Sequence, residues 1–464
     1  MDISTPSAQG VDADGIAAFL DVIERDARIE PHGLIIQRHG HRIAEGYWAP
    51  HTADRSRLVY SLSKSFTGTA LGLQIGEGRL TLDDLVSDHL PELFDDATAD
   101  SARTLRIRHI SSMATGHDRE TILEAAMADP ADSVRGFLTI PSDAEPGTRF
   151  AYNQPPVLAL ARILQRLAGE SLADYLRPRV LDPLDVGDFR WRHTKDGFDL
   201  GFSGVFTNLD AIARLGQLYL DDGMWNGARV LPSGWVGAAS AVQVANPERD
   251  EPDWSQGYGF QLWRSRHGYR GDGAFGQYMV VLPEQDAVVA LFSCVENMQT
   301  VLDAMWEHLL PAMGDTGSGA ADRDAALAER MAHLSLPTAA DRLGRQRPAD
   351  LPPMAFTRRA EGVSHSSITG IESAGERITI HEDDESFDVP LTAGWSADGD
   401  SNSASATRLA DGRIAVDLAL LATPHRIEIE LDPATATFVA RWPVVPLFGG
   451  GLEPRLGSMR QPSN

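Results

Sequence analysis

Apolar residues recur at helical spacing near the start of the chain. Ile16, Phe19, Leu20 and Ile23 fall on one face of residues 15–28, which reads as an amphipathic helix. Two short strand-like runs follow at 32–37 and 41–48, hinged at Arg38-His39-Gly40. Residues 61–75 return to a helical pattern, with Ser61 near the N-terminal end and Gly68, Gly72 and Gly76 along one face. Each interior glycine costs a helix about 1 kcal/mol relative to alanine, so this bare face predicts close packing against a neighbour. From about 80 to 185 the pattern is mainly helical, with breaks at Pro91, Pro130, Pro141, Pro146, Pro155 and Pro156. A helix at 209–221 precedes strands at 257–264, 277–282 and 287–294, and 298–313 is helical again.

Strands therefore open and close this region while helices fill its middle. The fold class predicted is α+β: one antiparallel sheet made by both ends, flanked by the first and last helices, plus a helical subdomain. The active site is expected between sheet and subdomain. Residues 314–353 shift toward Gly, Ala, Asp, Arg and Pro and read as a linker with one helical piece at 323–334. Beyond 354, short alternating runs (377–381, 387–391, 404–409, 414–420, 425–431 and 437–442) are separated by turns such as Ala410-Asp411-Gly412. They predict a small all-β C-terminal domain, sandwich or barrel. The expected division is a catalytic domain at 1–313, the linker, and the β domain at 354–464.

A chain of 464 residues exceeds one compact core, and 42% hydrophobic with 23% charged residues is ordinary for a globular protein. The net charge of −25 argues against nucleic acid or an anionic membrane as partner. Cys294 is the only cysteine and ends an apolar run, so a packed thiol is expected and an intrachain disulfide is excluded. Met1-Asp2-Ile3-Ser4-Thr5 lacks the basic and apolar segments of a signal peptide, and no stretch approaches the roughly 18 apolar residues of a membrane span. A cytoplasmic protein is expected. Neither His39-Gly40-His41 nor the run His381-Glu382-Asp383-Asp384-Glu385 has the spacing of a zinc or calcium site, so no metal and no cofactor is expected.

Lysine usage changes the picture. Of 41 basic residues only Lys64 and Lys195 are lysine, so arginine does nearly all the generic cationic work. A retained lysine then points to something arginine cannot do, such as giving up its proton near neutral pH. Lys64 stands in Ser61-Leu62-Ser63-Lys64, and helical residues at i and i+3 share a face about 5–6 Å apart. A serine hydroxyl becomes a useful nucleophile when a neighbour takes its proton. Lysine can be that neighbour if burial lowers its pKa. Lys195-Asp196-Gly197 reads as a loop turn, and Gly201-Phe202-Ser203-Gly204-Val205 misses the nucleophile-elbow pattern.

Tyr60-Ser61-Leu62-Ser63-Lys64-Ser65-Phe66-Thr67-Gly68 resembles the nucleophile motif of serine hydrolases related to class C β-lactamases and penicillin-binding proteins. Further segments match in that family's order: 108–116, Phe150-Ala151-Tyr152-Asn153-Gln154, 204–210, 258–263, and Gly271-Asp272-Gly273-Ala274-Phe275-Gly276-Gln277. The resemblance covers roughly 12–312 and implies a β-lactamase/DD-peptidase-like catalytic domain. It makes Ser61 the acylated nucleophile, Lys64 its proton acceptor, and Tyr152 the proton shuttle as phenolate or hydroxyl. The second motif ordinarily reads Tyr-x-Asn or Tyr-x-Ser. Here Gln154 stands at the third place and Asn153 one place early, so either amide can face the substrate. Gly271-Asp272-Gly273 replaces Lys-Thr-Gly or His-x-Gly. Gly273 would sit at the oxyanion hole with the N–H of Ala274, and Arg270 could stand in for the missing cation. The expected partner is a small-molecule ester or small amide, with homo-oligomerisation open. D-aminoacyl peptide or β-lactam hydrolysis is the alternative, and a non-catalytic binding or assembly module the rival class.

Overall fold

A computed structural model describes residues 1–314, 316–344, 351–359, 367–382, 385–396 and 401–447. Its central sheet has seven strands in the order Asp2–Ile3, His41–Tyr47, Ile29–Arg38, Ala287–Val295, Gln277–Leu282, Tyr269–Gly273 and Trp263–Arg264. Both ends of the region 1–313 thus build one sheet, as the strand pattern predicts. Every pairing is antiparallel except that of Asp2–Ile3, which runs parallel to His41 and Arg42. The helix Ala13–Arg25 opens on the Asp12 carboxylate, which accepts the Asp14 N–H at 3.1 Å, and buries Ile16, Phe19, Leu20 and Ile23. It covers one sheet face together with the helix beginning at Gln299. Helices including Ser63–Gly76, Gln154–Ala168 and Leu209–Leu220 share the larger core on the other face.

Three details differ from expectation, each for a physical reason. Pro155 and Pro156 do not break a helix but begin one, in the first turn of Gln154–Ala168, where a missing N–H costs nothing. The predicted strand at 257–264 shrinks to Trp263–Arg264, while Tyr269–Gly273 pairs along Gln277–Val281 as a strand that its glycines and aspartate conceal. The helical piece expected at 323–334 of the linker is the helix Ala320–Ala332, and it does not stand free: its Leu327 and Met331 are buried in the core beneath Ala13–Arg25.

The β domain forms an eight-stranded sheet from Leu351–Arg358 to Thr437–Arg441. Its outer strands, Glu385–Pro390 and Asn402–Arg408, approach one another, and the segment after the first closes the gap: Ala406 N–H donates to the Thr392 carbonyl at 2.6 Å and Ser396 N–H to Ala404 at 2.9 Å. The result is the barrel-like arrangement expected of the alternating runs, around Ile371, Ile380, Val416, Ile429 and Phe438. Asp383 and Asp384 of the acidic run lie outside the described residues. The domain docks through Leu58 N–H to the Ala422 carbonyl at 2.8 Å and through Arg426 to Glu30 at 2.9 Å. Among the described residues no helix is long and apolar enough to cross a membrane.

The glycine face of the Ser63–Gly76 helix is packed as predicted. A Cβ on Gly72 would lie 2.3 Å from the Trp235 indole nitrogen, and one on Gly76 2.3 Å from Pro232. Trp235 stacks on Phe260 at 5.9 Å and has nowhere to retreat. Gly72→Val is expected to destabilise the protein by about 1–3 kcal/mol through overpacking. Urea denaturation measures this, and an unchanged midpoint would refute the packing argument.

Candidate active site

The chain reaches Ser61 through a tight turn, Tyr60–Leu62, that runs directly into the helix Ser63–Gly76. Ser63 pins this turn from beneath: its hydroxyl donates to the Tyr60 carbonyl at 2.6 Å and accepts the Val205 N–H at 3.0 Å. Ser61 stays half-buried and reachable, while the Lys64 side chain points inward and is only 2% exposed. Lys64 Nζ lies 3.2 Å from Ser61 Oγ, so the i, i+3 spacing has brought the two together.

What surrounds the amine decides its charge. Nζ donates to Gln154 Oε1 at 2.7 Å and to the Phe202 carbonyl at 2.8 Å, both neutral acceptors. It also sits over the Tyr152 ring, 4.7 Å from its centroid. Among the described residues no carboxylate hydrogen-bonds it. Burial pulls its pKa from the usual value down to about 7, with Glu120 and Asp272 opposing only weakly through space. Near neutral pH the amine is therefore free for a large fraction of the time.

Tyr152 completes this group. Its hydroxyl lies beside Ser61, its ring stacks on Trp263 at 5.1 Å, and Tyr258 meets it edge-on. Burial, reinforced by Asp272, holds its pKa well above the normal phenol range. Of the two forms expected, the hydroxyl and not the phenolate is present at neutral pH.

The two amides separate cleanly. Gln154 reaches Lys64, whereas Asn153 is fully buried and its Oδ1 accepts the Thr121 N–H and hydroxyl, each at 3.0 Å. Arg270 is a poor stand-in for the third-motif cation, although its buried Nη2 has no hydrogen-bond partner among the described residues. Its guanidinium is wholly buried and committed to Asp272 at 2.9 Å, to the Asp253 and Arg264 carbonyls and to Ser265 Oγ. Lys195 is exposed on a loop turn.

Glycine explains why Ala274 lies beside the Ser61 turn. A Cβ on Gly273 would stand 2.0 Å from the Val59 carbonyl oxygen, and one on Gly271 2.2 Å from Ser65 Oγ. Only a strand without side chains at those places can press onto residues 59–65. Sequence reasoning missed Phe202, which acts through its carbonyl and so leaves no side-chain signature. It also missed Glu120, whose carboxylate accepts the Gln154 N–H at 3.2 Å from a loop with no motif.

A largely antiparallel sheet, a helical subdomain and a Ser-x-x-Lys turn between them define the β-lactamase-like class. The chain belongs to the β-lactamase family, whose family model matches residues 24–310. It is 28% identical to a 6-aminohexanoate-dimer hydrolase of Paenarthrobacter ureafaciens over 63% of this chain and 80% of that protein. It is 26% identical to penicillin-binding protein 4 of Amycolatopsis lactamdurans over 65% and 84%. Two solved structures share the fold. EstCE1, a hydrolase with promiscuous acyltransferase activity, has a TM-score of 0.53 at 17% identity, covering 63% of this chain and 99% of that one. The octameric penicillin-binding protein homologue from Pyrococcus abyssi has a TM-score of 0.52 at 15% identity, covering 90% and 98%, so its likeness extends into the β domain.

With only two lysines in the chain, lysine labelled with ¹⁵N at Nζ should give two side-chain signals. The one abolished by Lys64→Met is expected to titrate with a midpoint of about 7. A midpoint near the ordinary lysine value of about 10.4 would show that the amine is solvated.

Proposed function

We propose that this protein is a serine hydrolase that acts through an acyl-enzyme on an ester or a small amide. The carrying observation is the Lys64 amine, buried among neutral acceptors and 3.2 Å from Ser61 Oγ. Ser61 Oγ attacks the substrate carbonyl carbon while Lys64 takes its proton. The carbonyl oxygen becomes an oxyanion facing the N–H groups of Ser61 and Ala274. As the tetrahedral species collapses, the bond to the leaving group breaks and that group receives a proton through the Tyr152 hydroxyl. Water then attacks the acyl carbon, giving up a proton to Lys64; the bond to Ser61 Oγ breaks, Lys64 returns the proton to that oxygen, and the acid leaves as product. None of these steps draws on a metal or cofactor.

Esters lead because the third motif offers Asp272 where a cation would hold a substrate carboxylate. Amide cleavage is second, supported by a relative named for hydrolysing the dimer of an amino acid. The likeness to a penicillin-binding protein keeps D-aminoacyl peptides and β-lactams as the further alternative.

A fluorophosphonate probe is expected to label the wild type and not Ser61→Ala. With a p-nitrophenyl ester, kcat/KM should climb about tenfold per pH unit below about 7 and then level, since only the neutral amine accepts the proton. Lys64→Arg should lose essentially all turnover because arginine stays charged. An intact protein that takes no label would instead favour a non-catalytic binding module.

A further inference from the structure

Two residues in the left-handed backbone region flank the reacting centre. Tyr60, immediately before Ser61, has φ 49°, and Phe275, immediately after Ala274, has φ 67°. Bulky side chains rarely adopt this conformation, which persists only where the surroundings over-determine it. Within their own domain the two backbones are held at their carbonyls, Tyr60 by the Ser63 hydroxyl and Phe275 by the Ser293 hydroxyl and the Val295 N–H, while contacts to both side chains come from the other domain. A turn of the β domain, closed by Thr423 N–H to the Leu420 carbonyl at 2.9 Å and Leu420 N–H to the His425 carbonyl at 3.0 Å, presents the His425 imidazole. That imidazole is 2% exposed. Its Nε2 shares a hydrogen bond of 2.6 Å with the Tyr60 hydroxyl. The same ring meets Phe275 edge-on at 4.7 Å, and the Tyr60 and Phe275 rings meet at 5.3 Å. Leu58 N–H donates to the Ala422 carbonyl two residues before Tyr60, and Leu58, Tyr60, Phe275 and Ala422 share one buried cluster.

We propose that His425 is a positioning residue: through the Tyr60 hydroxyl and the Phe275 ring it holds the Ser61 and Ala274 N–H groups in register, so that the β domain completes the active site. This rests on the hydrolase reading above. His425 acts on the backbone at residues 60 and 275 and not on the reacting atoms. It fixes where two N–H donors point, one on the helix turn and one on the strand end, that belong to different parts of the fold. Both donors must converge on one oxygen, and a misplacement of about 1 Å at a reacting centre costs on the order of 100-fold in rate. The Lys64 amine is held separately, by Gln154 and Phe202, so its titration should not register the loss of His425.

The test uses the full chain as wild type, Tyr60→Phe, His425→Phe, the double variant Tyr60→Phe/His425→Phe, and His425→Gln. Each is measured for p-nitrophenyl ester hydrolysis, fluorophosphonate labelling rate and the Lys64 midpoint. Both single variants are expected to lower kcat and labelling by roughly 10- to 100-fold, with KM within about twofold and the Lys64 midpoint unmoved. The double variant should be no slower than the slower single one, because both delete the same contact. His425→Gln, which keeps a hydrogen-bonding group at this place, should recover part of the loss. If His425→Phe does not fold, Tyr60→Phe, which removes one oxygen atom, decides. Wild-type kcat in folded Tyr60→Phe, losses that multiply in the double variant, or a Lys64 midpoint that shifts with them would each overturn the positioning role while leaving the hydrolase intact. A wild type that takes no label would bring down both readings together.

Discussion

The Lys64 amine, buried with no carboxylate hydrogen-bonded to it among the described residues, is the constraint around which this β-lactamase-family domain is arranged. Placing an ammonium out of water costs several kcal/mol, and a protein ordinarily answers with an acid. Here the answer is two neutral acceptors, Gln154 Oε1 and the Phe202 carbonyl, which satisfy the N–H groups without restoring the charge. An aspartate or glutamate at 154 would hold the proton on Lys64 and raise its pKa again. The second-motif glutamine is thus chemically consistent with the base proposed for Lys64. Its position is secured by Pro155 and Pro156 in the first helical turn and by Glu120, which accepts its backbone N–H.

The remaining costs are local and are offset by contacts between elements. Three helix glycines give up propensity so that the Ser63–Gly76 helix can sit against Gln261, Trp235 and Pro232. Two strand glycines weaken Tyr269–Gly273 so that its end can press onto the turn before Ser61. Both sets have the same consequence: backbone approaches backbone where a side chain would have kept them apart. Precision at Ser61 and Ala274 comes from these approaches, with the left-handed residues Tyr60 and Phe275 as the points where the chain must bend to meet them.

This arrangement also explains what could be read from the sequence. The helix around Ile16 to Ile23, the sheet made from both ends, the β domain and the family follow from periodicity and motif order, which are local signals. The approach of Ser61 to Lys64 follows from helical spacing alone. Long-range pairing is less legible. Tyr269–Gly273 hides because its composition is dictated by what it touches, Val59 and Ser65, more than than by strand propensity. The helix Ala320–Ala332 is legible as the helical piece at 323–334, but its docking is not, because only Leu327 and Met331 are needed to seat it on the first helix. Choosing between Asn153 and Gln154 requires knowing that Thr121 occupies the former, a contact that spans 32 residues.

Charge at the third motif bears on the substrate. Arg270 and Asp272 form a buried pair 2.9 Å apart, and together they contribute almost no net charge to the cleft. Glu120, exposed on its loop, adds a negative charge near Gln154. The cationic side chain hydrogen-bonded to Ser61 among the described residues is Lys64, and the proposed mechanism needs it uncharged. A substrate carboxylate drawn to Lys64 would stabilise the ammonium, raise its pKa and so remove the base that the reaction requires. Recognition of an anion and proton removal from Ser61 therefore compete for one amine. By the resemblance, Gly271 and Asp272 stand where a lysine or histidine of the third motif would separate the two tasks. An acyl donor without a negative charge near its carbonyl avoids the conflict, which supports the ester reading over β-lactams and peptide C-termini.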